Sequence, residues 1–182
     1  MNGWMKCLTI CQPWAHLIIH GVGPGSELFG TEHQFKSVEN RTWQCLHRGP
    51  LAIHAGKSHE WMDPFPLKLY DVDVNQLVFG GVIGAAEMIV CETCVRIGSN
   101  PWADKWGYGF VLRAPRAMSE PLMVAGKQGL FELESSRIVP RLGPVLVAGE
   151  KGAKAHGPEA RATGESRGRD GRLFGPLGGR IL

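Results

Sequence analysis

The sequence predicts a small α+β domain, a barrel or mixed sheet of five or six short strands with few helices, and three observations predict it. Short strand-like runs recur at Lys6 to Ile10, Val38 to Trp43, Leu51 to Ala55, Gly80 to Val95, Gly107 to Arg113 and Leu130 to Leu133. Glycine, proline or polar turns separate them, as between strands of a compact β-rich fold. Only residues 13–20 and 56–62 carry helix signals. The 182 residues, 43% hydrophobic and 20% charged, suit one globular domain with an appendage, domains running to roughly 100–200 residues.

In chain order, Lys6 to Ile10 reads as a strand ended by Gln12-Pro13-Trp14. Proline suits the first turn of a helix. Trp14, Leu17 and Ile18 then form an i, i+3, i+4 stripe that Gly21 terminates, which predicts a helix from Pro13 to His20. His16 and His20 share a face of that helix at a metal-pair spacing; with no third ligand at a telling distance they read as solvated helix-face residues. Residues 21–35, with four glycines and a proline, read as a long loop, a class that often carries function.

In the strand that follows, alternation puts Glu39, Arg41 and Trp43 on one face and Val38 and Asn40 on the other. Ionised side chains seldom point into a core unpaired, so the charged face lines solvent or a polar cleft. The surrounding tryptophans favour the cleft, against a surface ion pair contributing about 0–1 kcal/mol. In Leu51-Ala52-Ile53-His54-Ala55, the residues Leu51, Ile53 and Ala55 are expected in the core and His54 on the opposite face. Gly56 to Met62 is expected to start a helix capped by Ser58 and stopped by Asp63-Pro64-Phe65-Pro66. Residues 67–79 show no decisive pattern. Gly80 to Val95 is the strongest strand signal, and its small residues suit close approach or a bend.

Residues 1–137 form the expected domain, and residues 138–182 a Gly/Arg-rich low-complexity tail. That tail holds eight basic and four acidic residues, ten glycines and one aromatic, Phe174. It offers too little apolar surface to offset its ordering entropy and is expected to be disordered. It reads as a passive extension; a basic arm adding phosphate affinity and a read-through extension are the alternatives.

No apolar run approaches the ~20 residues of a bilayer span, and the N-terminus lacks a signal peptide's features. The reading is a cytoplasmic protein without membrane association, its five cysteines reduced. Cys91-Glu92-Thr93-Cys94 is a single CxxC, whereas structural zinc needs two compact knuckles. No nucleophile elbow, phosphate loop or His-Glu-x-x-His occurs, and no cofactor or metal is called for. The candidate chemistry that remains is Lys36, Glu39 and Arg41, with His54 and Lys57 and the aromatics Trp14, Trp43, Trp61, Trp102 and Trp106. Trp102 and Trp106, on a polar connection, are read as a stacking platform for a base.

Four blocks in this order, Cys7 to Trp14 with its Gln12-Pro13-Trp14, Lys36-x-x-Glu39-x-Arg41-x-Trp43, Gly49-Pro50 through Ile53-His54-Ala55-x-Lys57, and the Gly84 to Cys91 strand, resemble the ASCH domain, the activating-signal-cointegrator homology family of PUA-like folds. The resemblance runs from about Lys6 to Glu132. It implies a small PUA-like β-barrel with flanking helices and a cleft beside the Gln-Pro-Trp helix where Lys36, Glu39 and Arg41 gather. It also implies binding of RNA or nucleotides, and some members deacetylate a modified cytidine. The chain departs from the pattern at Gln34, where the family usually has glycine, and at Glu39, where the deacetylating members have a threonine nucleophile, so that mechanism does not transfer as it stands.

Two functions lead, with an interaction domain whose cleft takes a peptide or small anion as a third. In the first, a binding module recognises a nucleobase or nucleotide through Gln12, Trp14, Lys36, Glu39, Arg41, Trp43, His54, Lys57, Trp102 and Trp106. In the second, a hydrolase acts on a modified nucleoside such as an acylated cytidine, with Lys36 as base and Glu39 or Asp104 as proton shuttle.

Overall fold

A computed structural model describes residues 3–149 of the chain. The expected α+β architecture forms, as a six-stranded mixed sheet with short helices around it. The strands are β1 (Trp4–Ile10), β2 (Val38–Arg41), β3 (Gly49–Ala55), β4 (Gly81–Thr93), β5 (Tyr108–Met123) and β6 (Leu130–Glu134). Their order across the sheet is β2-β5-β4-β3-β1-β6. Only the β1–β3 pairing is parallel; β1 with β6, β2 with β5, β3 with β4 and β4 with β5 run antiparallel.

β3 has neighbours on both sides and covered faces above and below, which explains its composition. Leu51, Ile53 and Ala55 enter one hydrophobic cluster and Ala52 another. His54 does point opposite to Ile53, but its face is also covered and it is 1% exposed. β4 slips register against β5 between Val82 and Gly84, Ala85 and Glu87, and Met88 and Val90, and such bulges bend a sheet. Glycine at 84 permits the bend, because a Cβ there would stand 2.5 Å from the Arg116 carbonyl oxygen and 2.8 Å from Ile19 Cδ1.

Helix α1 (Trp14–Ile19) matches its sequence signal and buries Ala15, Leu17, Ile18 and Ile19. Burying an Ile or Leu contributes about 1.5–3 kcal/mol, so this short helix is held by packing. On its outer side the His16 and His20 rings lie 4.8 Å apart. His16 is half-buried, and no group of three metal-ligating side chains occurs among the described residues. Burial, then the neighbouring His20, depress the His16 imidazole from its ordinary 6.5 to about 3, against a smaller upward pull from Asp73. The folded state therefore favours neutral His16, and that contribution is complete above pH 6.5 and lost as pH falls toward 3. Urea midpoints should decline across this window, and His16→Gln should flatten the decline; an unchanged slope would contradict the assignment.

The helix expected to start within residues 56–62 does not form. That stretch is a turn in which Ser58 Oγ accepts from the Glu60 amide at 3.2 Å, and the helix α2 runs Pro64–Leu69 instead. Pro64 takes the opening position, where proline costs no hydrogen bond, so the residues read as a stop are the start. Helix α3 (Cys94–Ile97) begins at the second cysteine of the CxxC, and α4 (Ser135–Ile138) follows β6.

Residues 138–149 of the expected tail are described and lie on the domain. Ile138 is fully buried, Leu142 bridges to Met118, and the Leu146 amide donates to the Pro115 carbonyl at 2.8 Å. The reading of the tail as disordered falls, from residue 150 onward, outside the described residues. No helix among the described residues is long and apolar enough to cross a membrane.

Candidate functional site

Strand β2 pairs with β5 along one side, Val38 opposite Val111 and Arg41 opposite Tyr108. Alternation sends Val38 into a small core with Leu17, Val22 and Trp102 and leaves Glu39 and Arg41 facing a cleft. Lys36 Nζ donates to the Val38 carbonyl and, at 2.9 Å, to Glu39 Oε2. Arg41 Nη2 lies 3.0 Å from Glu39 Oε1 and donates to the Thr9 carbonyl at 2.8 Å. Lys36 and Glu39 are 5% and 7% exposed. One carboxylate therefore carries two cations in a desolvated setting, where charges interact far more strongly than at a surface.

The trio floors a cavity of about 440 Å³ whose walls are aromatic: Trp14, Tyr70 and Trp102, with Trp61 at the rim. Tyr70 stands edge-on to Trp14 at 6.0 Å and tilted against Trp102 at 4.9 Å. Asp104 also lines this cavity. Asn40 fixes the backbone there, since its Nδ2 donates to the Trp102 carbonyl at 2.9 Å and its Oδ1 accepts from the Asp104 amide at 3.0 Å. Such a cleft sets aromatic side chains beside fixed donors and an acceptor.

A second cavity, about 840 Å³, lies beyond Arg41 and is lined by Trp43, His54, Lys57 and the segment 125–129. Thr9 and Arg41 line both cavities. The residues expected in one cleft are thus divided: Trp14, Lys36, Glu39, Trp102 and Asp104 in the first, Trp43, His54 and Lys57 in the second, with Arg41 between them.

Two residues expected at the site lie elsewhere. Gln12 is fully buried, with Nε2 donating to the Val78 carbonyl at 2.7 Å and Oε1 accepting from the His16 amide at 3.0 Å. It ties α1 to the chain before β4. Gln12→Ala is expected to cost about 1–3 kcal/mol through these unpaired groups, read as a lower urea midpoint. Trp106 is 81% exposed and lines neither cavity, while Trp102 is turned inward and its indole N–H donates to the His33 carbonyl at 2.9 Å. The two tryptophans therefore do not share a platform, and Tyr70, from the stretch without a decisive pattern, supplies the facing ring.

Gln34 also has a place. Its Oε1 accepts from the Gly30 amide at 3.0 Å and the Gly149 amide at 2.7 Å, and its carbonyl accepts from Val22. The side chain closes the 21–35 loop and ties it to residue 149, roles that glycine could not fill.

The cysteines are free thiols. Burial pushes Cys7 up to about 12, and Cys91 Sγ accepts from the Cys45 amide at 3.2 Å, so both serve the core.

No family model matches the chain. A curated relative, activating signal cointegrator 1 of Mus musculus, is 26% identical over 147 residues, covering 74% of this chain and 23% of the relative. The chain thus spans under a quarter of that protein's length. Among solved structures, ASCH from Zymomonas mobilis is 14% identical with a TM-score of 0.48, covering 78% of this chain and 98% of that one. A point mutant of the same protein is 13% identical with a TM-score of 0.46, covering 76% and 99%. In its motif blocks and in its curated relative, the chain is similar to ASCH-domain proteins.

Proposed function

We propose that the protein binds RNA or nucleotides by receiving a nucleobase in the Lys36–Glu39–Arg41 cleft. The observation that carries this reading is a buried carboxylate held between two cations in a cavity that aromatic side chains also line. A base stacks on aromatic rings, and its ring carbonyls and exocyclic amines need donors and acceptors at a fixed place beyond them. Arg41 supplies donors, Glu39 the acceptor, and Lys36 holds Glu39 in position. The ASCH resemblance supports an RNA association of the same kind.

The geometry favours binding over hydrolysis. Both Glu39 oxygens are already engaged, Oε2 by Lys36 and Oε1 by Arg41, a pairing that suits recognition of a ligand rather than activation of a water.

Single-stranded RNA of mixed sequence is expected to bind with micromolar affinity at low salt, weakening as salt rises. Fluorescence titration against the protein's tryptophans reads both. No binding at low salt to any member of an RNA panel contradicts the proposal.

A further inference from the structure

Thr9 Oγ1, Arg41 Nε and His54 Nδ1 are buried side-chain atoms without a hydrogen-bond partner among the described residues. All three residues line the second cavity. Leaving such atoms unpaired costs about 1–3 kcal/mol each, and two of them, Thr9 Oγ1 and His54 Nδ1, lie together under Gly126, which calls for a partner there. Thr9 and His54 are register partners on the parallel strands β1 and β3. The ring of His54, 1% exposed, is held with Nε2 3.0 Å from the Val124 carbonyl oxygen. A carbonyl only accepts, so Nε2 carries the proton and Nδ1 of the neutral ring is an acceptor. An acceptor beside a threonine hydroxyl suits a ligand hydroxyl, which donates to one and exchanges a hydrogen bond with the other.

Two cations, Lys57 and Lys127, stand on the same cavity. The cavity is joined to the base-binding cleft through Thr9 and Arg41. A hydroxyl next to cations, one residue away from a base slot, is the chemistry of a ribose phosphate.

We propose that the second cavity takes the sugar and phosphate of the nucleotide whose base enters the first, with His54 and Thr9 reading a ribose hydroxyl and Lys57 and Lys127 holding the phosphate. This rests on the nucleobase reading above and narrows the ligand to a ribonucleotide. Gly126 covers the pair, since a Cβ there would stand 2.6 Å from His54 Cε1 and 2.7 Å from Thr9 Oγ1. The ligand hydroxyl therefore enters with a shift of the exposed segment 125–129.

The test compares ribonucleosides, their 5′-monophosphates, the 2′-deoxy monophosphates and inorganic phosphate, titrated against the full chain for each of the four bases. The best-bound base should gain about tenfold from its phosphate and about five- to tenfold from its ribose hydroxyl. His54→Phe should bring the ribose-to-deoxyribose ratio near one while keeping the phosphate gain, and Lys57→Ala with Lys127→Ala should do the reverse. If His54→Phe does not fold, Thr9→Val removes the partner hydroxyl and should lower the same ratio. Nucleosides that bind with no gain from phosphate or ribose overturn this inference and leave the base reading standing. A His54 variant that changes stability but not the ratio overturns it too, as the mark of an internal water. Inorganic phosphate bound as tightly as the nucleotide reduces the cavity to a free-anion site and also overturns it. Absence of all nucleoside and nucleotide binding removes both readings together.

Discussion

Glu39→Ala is expected to lower stability by about 3–5 kcal/mol, the range for removing one member of a buried ion pair. The carboxylate is 7% exposed and is the only anion paired with Lys36, itself 5% exposed, and with Arg41 among the described residues. Without it, Lys36 keeps only the Val38 carbonyl and Arg41 only that of Thr9. Glu39→Gln retains the shape and an acceptor but not the charge, and should fall between wild type and alanine. Combining Lys36→Met with Glu39→Gln removes both charges of the pair, so the double variant should lose less than the sum of the singles. Urea denaturation at neutral pH with the slope unchanged reads wild type, the three single variants and the double variant. A loss below about 1 kcal/mol for Glu39→Ala would return the trio to the class of surface ion pairs.

Arg41→Ala is expected to have the largest effect on ligand binding, a loss of about 10- to 150-fold, equivalent to about 1.5–3 kcal/mol for a charged hydrogen-bonding group. Arg41 is the side chain shared, with Thr9, by both cavities, so its removal deprives the base of donors and the adjoining phosphate of a charge. The salt dependence of RNA binding should flatten with it, since a cation beside the phosphate site is lost and fewer counterions are released. Arg41→Lys should rescue little, because Nη2 alone makes the contacts to Glu39 and Thr9, and an ammonium put to that use has no further planar donors to offer a base. RNA titrations at two salt concentrations check this. Affinity equal to wild type in Arg41→Ala would show that the cleft is not where RNA binds.

The parts of this domain legible in the sequence are those fixed by local pattern. The Gln12-Pro13-Trp14 helix start, the alternation through Glu39 and Arg41 and the apolar block of β3 each rest on neighbours along the chain. Helix α2 was misplaced because Pro64 and Pro66 read equally as a stop or a start, and only packing decides. The site was legible as a list and not as a shape. Nothing local shows that Trp102 turns inward to bond His33, that Tyr70 from a featureless stretch completes the wall, or that Arg41 separates two cavities. Gln12 belonged to the right motif but serves the fold, because its amide has the length to reach Val78 across the sheet end.

In the proposed complex a base lies between the aromatic wall and the Glu39–Arg41 pair. A crystal structure of the protein with a saturating ribonucleoside monophosphate tests it most directly. The predicted result is a base stacked beside Trp14, Tyr70 and Trp102 with its polar edge on Glu39 and Arg41. A nucleotide bound elsewhere, with this cleft holding only solvent, would contradict it.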